Sequence, residues 1–281
     1  MKTILYATDY SLNSVAALRL ANIFAKNFHA ELIMLHVFDV PVSLASTVSI
    51  TYLKKEKTLF IEHKAKLKRF YAEHISETLD EKRIRFRVDE DGSVSEGILE
   101  KAFKHKVDLI VVGTTGASQI KEFLLGSTPK ALIQKATCPV LVVPKDFKGT
   151  AIHRMVYATD FEQADIFAIN ELVNIAETLG AEIRVVHITS KKEYAGKEHM
   201  EWFKEMLNEK VHYDHIAFDL LFSEEIFESI VDYIKDSDAD LLAMLERKES
   251  TFYQKYFEKD MVKKMVNNIS VPLLSFNARG L

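Results

Sequence analysis

The chain is poor in the residues that let a backbone turn sharply or approach a ligand closely. Of 281 residues, nine are glycine and five are proline. That is about 3% glycine, against a typical ~7%. Cysteine is nearly missing: Cys138 stands alone, which excludes an intrachain disulfide and a cysteine-built zinc site and fits a reducing compartment. No apolar run approaches the ~18 residues of a membrane helix. The opening stretch Met1–Asp9 meets an acid too soon for an export signal. The chain therefore reads as cytoplasmic, with no membrane partner. Basic charge is not in excess either. A net charge of −4 and a pI near 6.2 argue against a protein that coats nucleic acid.

What is present is enough for a folded core. Apolar residues make up 48% and charged residues 28%, a balance that excludes wholesale disorder. At roughly 100–200 residues per domain, the length suggests about two domains.

The sequence is written twice. Ile4-Leu-Tyr-Ala-Thr-Asp-Tyr10 matches Met155-Val-Tyr-Ala-Thr-Asp-Phe161, and Asp160 stands 151 residues after Asp9. The apolar run Glu31–Val37 contains His36, and its counterpart Glu182–Ile188 contains His187 at the same offset. Val107–Val112 then matches Ala239–Met244, and Cys138–Val142 matches Val271–Ser275, at offsets of 132 and 133. Ordered matches with a single main change of offset mark an internal repeat. The boundary falls near Lys145–Ala151, where Pro144, Gly149 and two lysines interrupt the pattern. This predicts one domain over 1–147 and a second over 151–281.

Each copy alternates short apolar runs with longer amphipathic ones. Strands are predicted at Thr3–Thr8, Glu31–Val37, Arg83–Val88, Asp108–Val112 and Pro139–Val143. In the second copy they fall near Arg154–Thr159, Ile183–Ile188, His215–Leu221, Asp240–Leu245 and Val271–Ser275. Helical stripes lie between, including a long charged helix over Tyr52–Leu79 and shorter ones at Val94–Lys104 and Pro129–Lys135. Alternating strand and helix predicts an α/β fold: two tandem doubly wound domains, each a five-stranded parallel sheet.

Such sheets bind ligands at the carboxyl ends of their strands, where the strand order reverses. With the order 3-2-1-4-5, Ala7 and Asp9 at the end of the first strand face Gly113-Thr-Thr-Gly116 at the end of the fourth. After a gap of nine residues comes Gly126-Ser127-Thr128-Pro129-Lys130. Here Ser127 reads as a helix N-cap and Pro129 suits the first turn. Free N–H groups at Gly126 and Ser127, with the hydroxyls of Ser127 and Thr128 and the cations Lys121 and Lys130, make an anion cradle. Gly113 and Gly116 allow close approach and positive φ. Asp9 could accept hydrogen bonds from a ribose or amino group. The spacing is neither that of a Walker loop nor that of the dinucleotide fingerprint.

Gly113-x2-Gly116-x9-Gly126-Ser127 resembles the ATP-binding motif of the universal stress protein family. Tyr6–Ser11, Leu35-His36-Val37 and Thr137–Pro144 resemble that family's first, second and closing strands. The resemblance spans essentially the whole chain as two family domains. It implies the adenine nucleotide alpha hydrolase-like fold. It also implies that Asp9 lies near adenine or ribose, that Val37 meets adenine through its backbone, and that Gly113, Gly116, Gly126, Ser127 and Thr128 hold ribose and phosphates. ATP, with Mg2+ as its companion, is the implied ligand. Members pair through their last strands, so pairing of the two domains and a homo-oligomer are expected.

The second copy departs from the motif. Leu245 and Lys248 stand where Gly113 and Gly116 stand, and Glu258–Asp260 replaces the Gly126–Ser127 region. Asp160 keeps its place without the partners of the first copy, while Arg247, Lys248 and Lys255 add opposing charge. The second domain is therefore expected not to bind ATP in the family manner.

Elsewhere no nucleophile–base pair is legible. His36 and His187 recur at equivalent positions, which favours packing. In His212-x-x-His215 the two side chains would point to opposite faces of a strand, which disfavours a metal. His63, His74, His105 and His199 are expected on solvated helices, and Trp202 with Phe203, Met206 and Leu207 in a core stripe. The leading reading is an ATP-binding regulatory or sensing protein of stress adaptation with an unknown protein partner, not an enzyme. The rival readings are a slow Mg2+-dependent ATPase and a nucleotide-free scaffold acting by dimerisation.

Overall fold

The structure, a computed structural model, describes residues 1–38, 50–114, 125–189, 196–247 and 261–278, with residues 50–56 and 196 described by backbone alone. The chain separates into two compact units, Met1–Asp146 and Phe147–Leu281.

In the first unit, β1 (Thr3–Ala7), β2 (Glu31–Phe38), β3 (Ile84–Glu90), β4 (Leu109–Gly113) and β5 (Val140–Val143) form a parallel sheet in the order β3-β2-β1-β4-β5. Nearly every residue of β1, β4 and β5 is buried, which is why their sequences lack polar alternation. The helices are α1 (Val15–Asn27), α2 (Ile50–His74), α3 (Val94–Lys104) and α4 (Ser127–Lys135). Helix α1 packs on α2 over one face of the sheet, and α3 on α4 over the other. The long charged helix stops at His74, short of the expected Leu79. There Tyr71 takes over, donating its hydroxyl to Asn22 Oδ1 at 2.9 Å and accepting the Leu79 N–H at 2.9 Å.

The second unit repeats this plan. Strands β6 (Arg154–Ala158), β7 (Glu182–Thr189), β8 (Ile216–Phe222), β9 (Leu241–Glu246) and β10 (Leu273–Asn277) lie in the order β8-β7-β6-β9-β10, again parallel. Its helices are α5 (Gln163–Leu179), α6 (Gly196–Asn208), α7 (Ile226–Asp236) and α8 (Met261–Val266). The predicted α/β class, with two doubly wound five-stranded sheets ordered 3-2-1-4-5, is the architecture observed.

The repeated aspartates explain themselves. Asp108 Oδ2 accepts the N–H groups of Lys2 and Thr3 at 2.6 and 2.8 Å, tying the start of β1 to β4. Asp240 does the same for His153 and Arg154 at 2.7 and 2.9 Å. Each unit also carries two left-handed non-glycine residues at matched places: Tyr10 and Phe161 just past the first strand (φ 64° and 60°), Lys106 and Asp238 before the fourth (both φ 50°). Trp202 corrects the sequence reading. It is 50% exposed, while its neighbours Phe203 and Leu207 carry the buried stripe of α6.

Candidate functional site

The order β1-β4 at the centre of the first sheet places the reversal point where the sequence predicts it. Asp9 lies exposed two residues beyond β1, and its Oδ1 accepts the Ser11 N–H at 3.0 Å. Across the pairing of Tyr6 with Val111, β4 ends in Gly113. A Cβ on Gly113 would stand 3.1 Å from the Asn13 carbonyl oxygen and 3.4 Å from Ser14 Cα. The glycine is thus needed so that the turn Leu12–Ser14 can close over the end of β4. It is not needed for positive φ, which among the described glycines occurs at Gly180.

Gly126 and its neighbours also differ from expectation. The Gly126 N–H is already used: it donates to the Thr114 carbonyl at 2.9 Å, and the Thr114 N–H donates to the Val143 carbonyl at 3.1 Å. Gly126 itself is the N-cap of α4, with Ser127 as the first helical residue rather than the cap. The first N–H groups of a helix have no intrahelical acceptor. Since Pro129 has no N–H, the donors this helix end presents are those of Ser127 and Thr128, with the positive end of the helix dipole behind them. Gly116 and Lys121 lie outside the described residues. Ala7 ends β1 buried, and the backbone of Val37 lies near the end of β2. The Val37 side chain turns to the α3 face, where a Cβ on Gly97 would come within 2.9 Å of it.

Beneath Asp9 lies a hydroxyl network. Tyr6 donates to the Ser14 carbonyl at 2.9 Å, the Thr8 and Ser14 hydroxyls meet at 2.9 Å, and Thr8 Oγ1 accepts the Tyr10 N–H at 2.9 Å. Burial pushes the Tyr6 phenol well above its ordinary range. His36 is held from the side, its Nδ1 lying 2.8 Å from the Thr8 carbonyl. Burial lowers His36 to about 4, with the neighbouring His63 and Lys66 pushing the same way against the Thr8 bond.

His63 is not a solvated helix residue, as its charged surroundings in α2 suggest. It stacks on His36 at 4.7 Å and on Phe38 at 4.9 Å, and its carbonyl accepts the Tyr10 hydroxyl at 3.0 Å. Tyr10 lies 4.2 Å from the His36 ring, with Lys66 over its own ring at 4.2 Å. The repeat flags His36. Nothing in the one-dimensional pattern ties α2 to it.

The second unit keeps this framework and changes its chemistry. Phe161 lies tilted against His187 with ring centres 4.2 Å apart, and His187 Nδ1 lies 2.7 Å from the Thr159 carbonyl. Where Ser14 stands in the first unit, the second has Asp165, which is 1% exposed. Its carboxylate accepts Tyr157 Oη at 2.7 Å, Thr159 Oγ1 at 2.9 Å and the Glu162 N–H at 3.1 Å. Arg247, just past β9, reaches into the same crevice. It bonds Asp165 at 2.8 Å and Asp160, the counterpart of Asp9, with Glu162 at 3.4 Å. Asp160 thus has Arg247 as its partner, one of the cations that the sequence reading set against the acids of this copy. Burial nevertheless raises its pKa to about 7, the attraction of Arg247 opposing and the other carboxylates reinforcing that rise. Lys248, Lys255 and Glu258–Asp260 lie outside the described residues. His212 and His215 belong to no cluster of metal ligands among the described residues. No described helix is long and apolar enough to cross a membrane.

The model of the universal stress protein family matches residues 1–144. A universal stress protein of Methanocaldococcus jannaschii is 33% identical over 148 residues, covering 52% of this chain and 84% of its own length. The universal stress protein YxiE of Bacillus subtilis is 35% identical over 142 residues, covering 50% of this chain and 96% of its own length. Over the whole length, a universal stress protein structure from Archaeoglobus fulgidus superposes with a TM-score of 0.67 at 17% identity, covering 98% of this chain and 96% of that one. That last likeness is one of fold.

Proposed function

This chain belongs to the universal stress protein family, and on that premise we propose that its first unit binds ATP as a regulatory or sensing element. The observation that carries the reading is the convergence at the β1–β4 reversal of the Asp9 carboxylate and the N–H donors of Ser127 and Thr128. A carboxylate at one lip suits the hydroxyls of a ribose or an amino group of a base. Helix-end N–H groups at the other suit phosphate oxygens. In this reading Ala7, Asp9 and the Val37 backbone face the nucleoside, Gly113, Gly116, Gly126, Ser127 and Thr128 face ribose and phosphates, and Mg2+ travels with the triphosphate.

The second unit is proposed to be closed to nucleotide. Arg247 already fills its crevice, bonded to Asp160 and Asp165, and Leu245 replaces the glycine that ends β4. The two units are read as two family domains over 1–147 and 151–281, and the whole as a nucleotide-responsive module that presents a different surface to a protein partner when loaded.

Calorimetry with ATP and Mg2+ tests this on the wild type and on Gly126→Val. There a larger side chain crowds Pro129 and the Thr114 carbonyl, each 3.4 Å from where its Cβ would stand. One ATP per chain is expected, with affinity lost at least tenfold in the variant. Two sites per chain would overturn the asymmetry, and undetectable binding by the wild type would overturn the reading.

A further inference from the structure

On the α3 face of the first sheet lies a cavity of about 300 Å3, lined by Ile33, Leu35, Arg87, Val88, Lys101, Lys104 and His105. Its size is at the lower end of small-molecule pockets, ~300–1,000 Å3. Its floor is apolar: Ile33 is 2% exposed and Leu35 fully buried. Its rim is cationic. Lys101 is neutralised by Asp89 at 2.8 Å, and nearby Arg85 is paired with Glu31. Arg87, Lys104 and the His105 ring have no hydrogen-bond or ion-pair partner among the described residues. They also crowd one another: with burial leading, Arg87, Lys104 and Arg85 hold His105 below its ordinary pKa against the weaker pull of Glu31. The carboxyl end of α3 favours Lys101 and Lys104. It does nothing for Arg87, which is on a strand.

The second unit shows what satisfies such a place. At the offsets of the repeat, Ile33 corresponds to Arg184, Arg87 to Asp219, Lys101 to Tyr233, Lys104 to Asp236 and His105 to Ser237. The sheet register agrees, since Leu35 pairs with Arg87 as Val186 pairs with Asp219. There the arginine grows from the floor. Arg184 lies 3.6 Å from Asp219, which also accepts the Tyr233 hydroxyl, and 3.5 Å from Glu182. The second unit thus supplies its own anion and fills its own floor. The first has Ile33 in place of that arginine and the cations Arg87 and Lys104 in place of Asp219 and Asp236, while Glu31, which stands where Glu182 does, is taken up by Arg85.

We propose that this groove of the first unit binds a small organic anion, a carboxylate carried on a short hydrocarbon body, with the head between Arg87, Lys104 and His105 and the body on Ile33, Leu35 and Val88. This goes beyond the nucleotide reading: the groove lies toward the carboxyl end of α3, away from Asp9 and the amino end of α4, and its occupancy does not require that reading to hold.

Amide and histidine-ring NMR spectra of the full chain, titrated with octanoate, test it. Acetate and 1-octanol serve as probes lacking the tail and the charge. Octanoate is expected to give saturable shifts at Leu35, Val88 and His105, to bind at least tenfold more tightly than either control, and to raise the pKa of the His105 ring. Arg87→Asp, at an exposed position, should weaken binding at least tenfold with the fold intact. The double variant Ile33→Arg with Arg87→Asp rebuilds the pair of the second unit and should abolish binding. Octanoate no tighter than octanol or acetate, undiminished binding by Arg87→Asp, or shifts that ATP displaces from the same amides would each overturn the proposal.

Discussion

The Arg247 guanidinium donates to the buried Asp165 carboxylate at 2.8 Å, joining the residue after β9 to the first turn of α5. Asp165 also receives Tyr157, Thr159 and the N-cap N–H of its own helix. The arginine therefore balances a carboxylate that the fold has already committed to burial. Removing one partner of a buried pair leaves the other uncompensated, which typically costs about 3–5 kcal/mol. Arg247→Met should destabilise the second unit by an amount in that range. The equivalent loss in the double variant Arg247→Met with Asp165→Ser, which copies the first unit at position 165, should be smaller. Urea unfolding of the three proteins measures both.

Asp160 sets a pH dependence of the opposite sign to an ordinary ion-paired carboxylate. Its folded pKa of about 7 lies above the value of 3.8 that it has unperturbed, so the folded state holds the proton more tightly. Stability from this group is full below pH ~4 and declines as pH rises toward ~7, then levels off. Asp160→Asn should flatten that window and stabilise the chain at pH 8 by on the order of 1–2 kcal/mol, partial exposure reducing the effect. Urea midpoints from pH 4 to 8 provide the comparison.

His36 acts in the first unit with the reverse slope. Its folded pKa of about 4 lies below the unperturbed 6.5 because the ring is buried against Tyr10 and His63. The unfolded chain takes up a proton there first. Stability is therefore full above pH ~6.5 and falls as pH drops toward ~4. His36→Asn keeps a donor toward the Thr8 carbonyl and removes the titration. Its stability should be lower than wild type at pH 7 and less sensitive to acid between pH 6.5 and 4, which acid titration of the two proteins followed by circular dichroism would record.

Gly113 is a packing requirement as well as a proposed site residue. A methyl group there would press on the Asn13 carbonyl at 3.1 Å. Overpacking of this kind costs about 1–3 kcal/mol. Gly113→Ala should lower the thermal midpoint of the first unit, and the loss should be absent from Leu245→Ile at the matching position of the second. Calorimetric scans of both variants test the contrast.

Much of the architecture is legible without the structure. Strands buried on both faces write themselves as unbroken apolar runs, and two copies of the pattern at one offset identify the repeat without any contact being known. The reversal point follows from strand order. What is not legible depends on pairs far apart in the chain. Arg247 reads in sequence only as a charge, because its carboxylates lie 82 and 87 residues earlier. His63 sits among lysines and glutamates in α2, and only the crossing of that helix over β2 stacks it on His36. Trp202 has the spacing of a core stripe with its neighbours, yet the rotation of α6 leaves it half in solvent. The cap of α4 differs by one residue from the sequence reading because Gly126 and Ser127 are both good caps by type.

The bond from the Gly126 N–H to the Thr114 carbonyl holds the two ends of the intervening stretch together at 2.9 Å. Ring closure there is a property of the folded scaffold, not of any ligand. The entropy of closing a longer ring grows only as the logarithm of its length, about 0.6 kcal/mol per doubling. Closure at these two residues therefore depends only weakly on how many residues separate them in sequence.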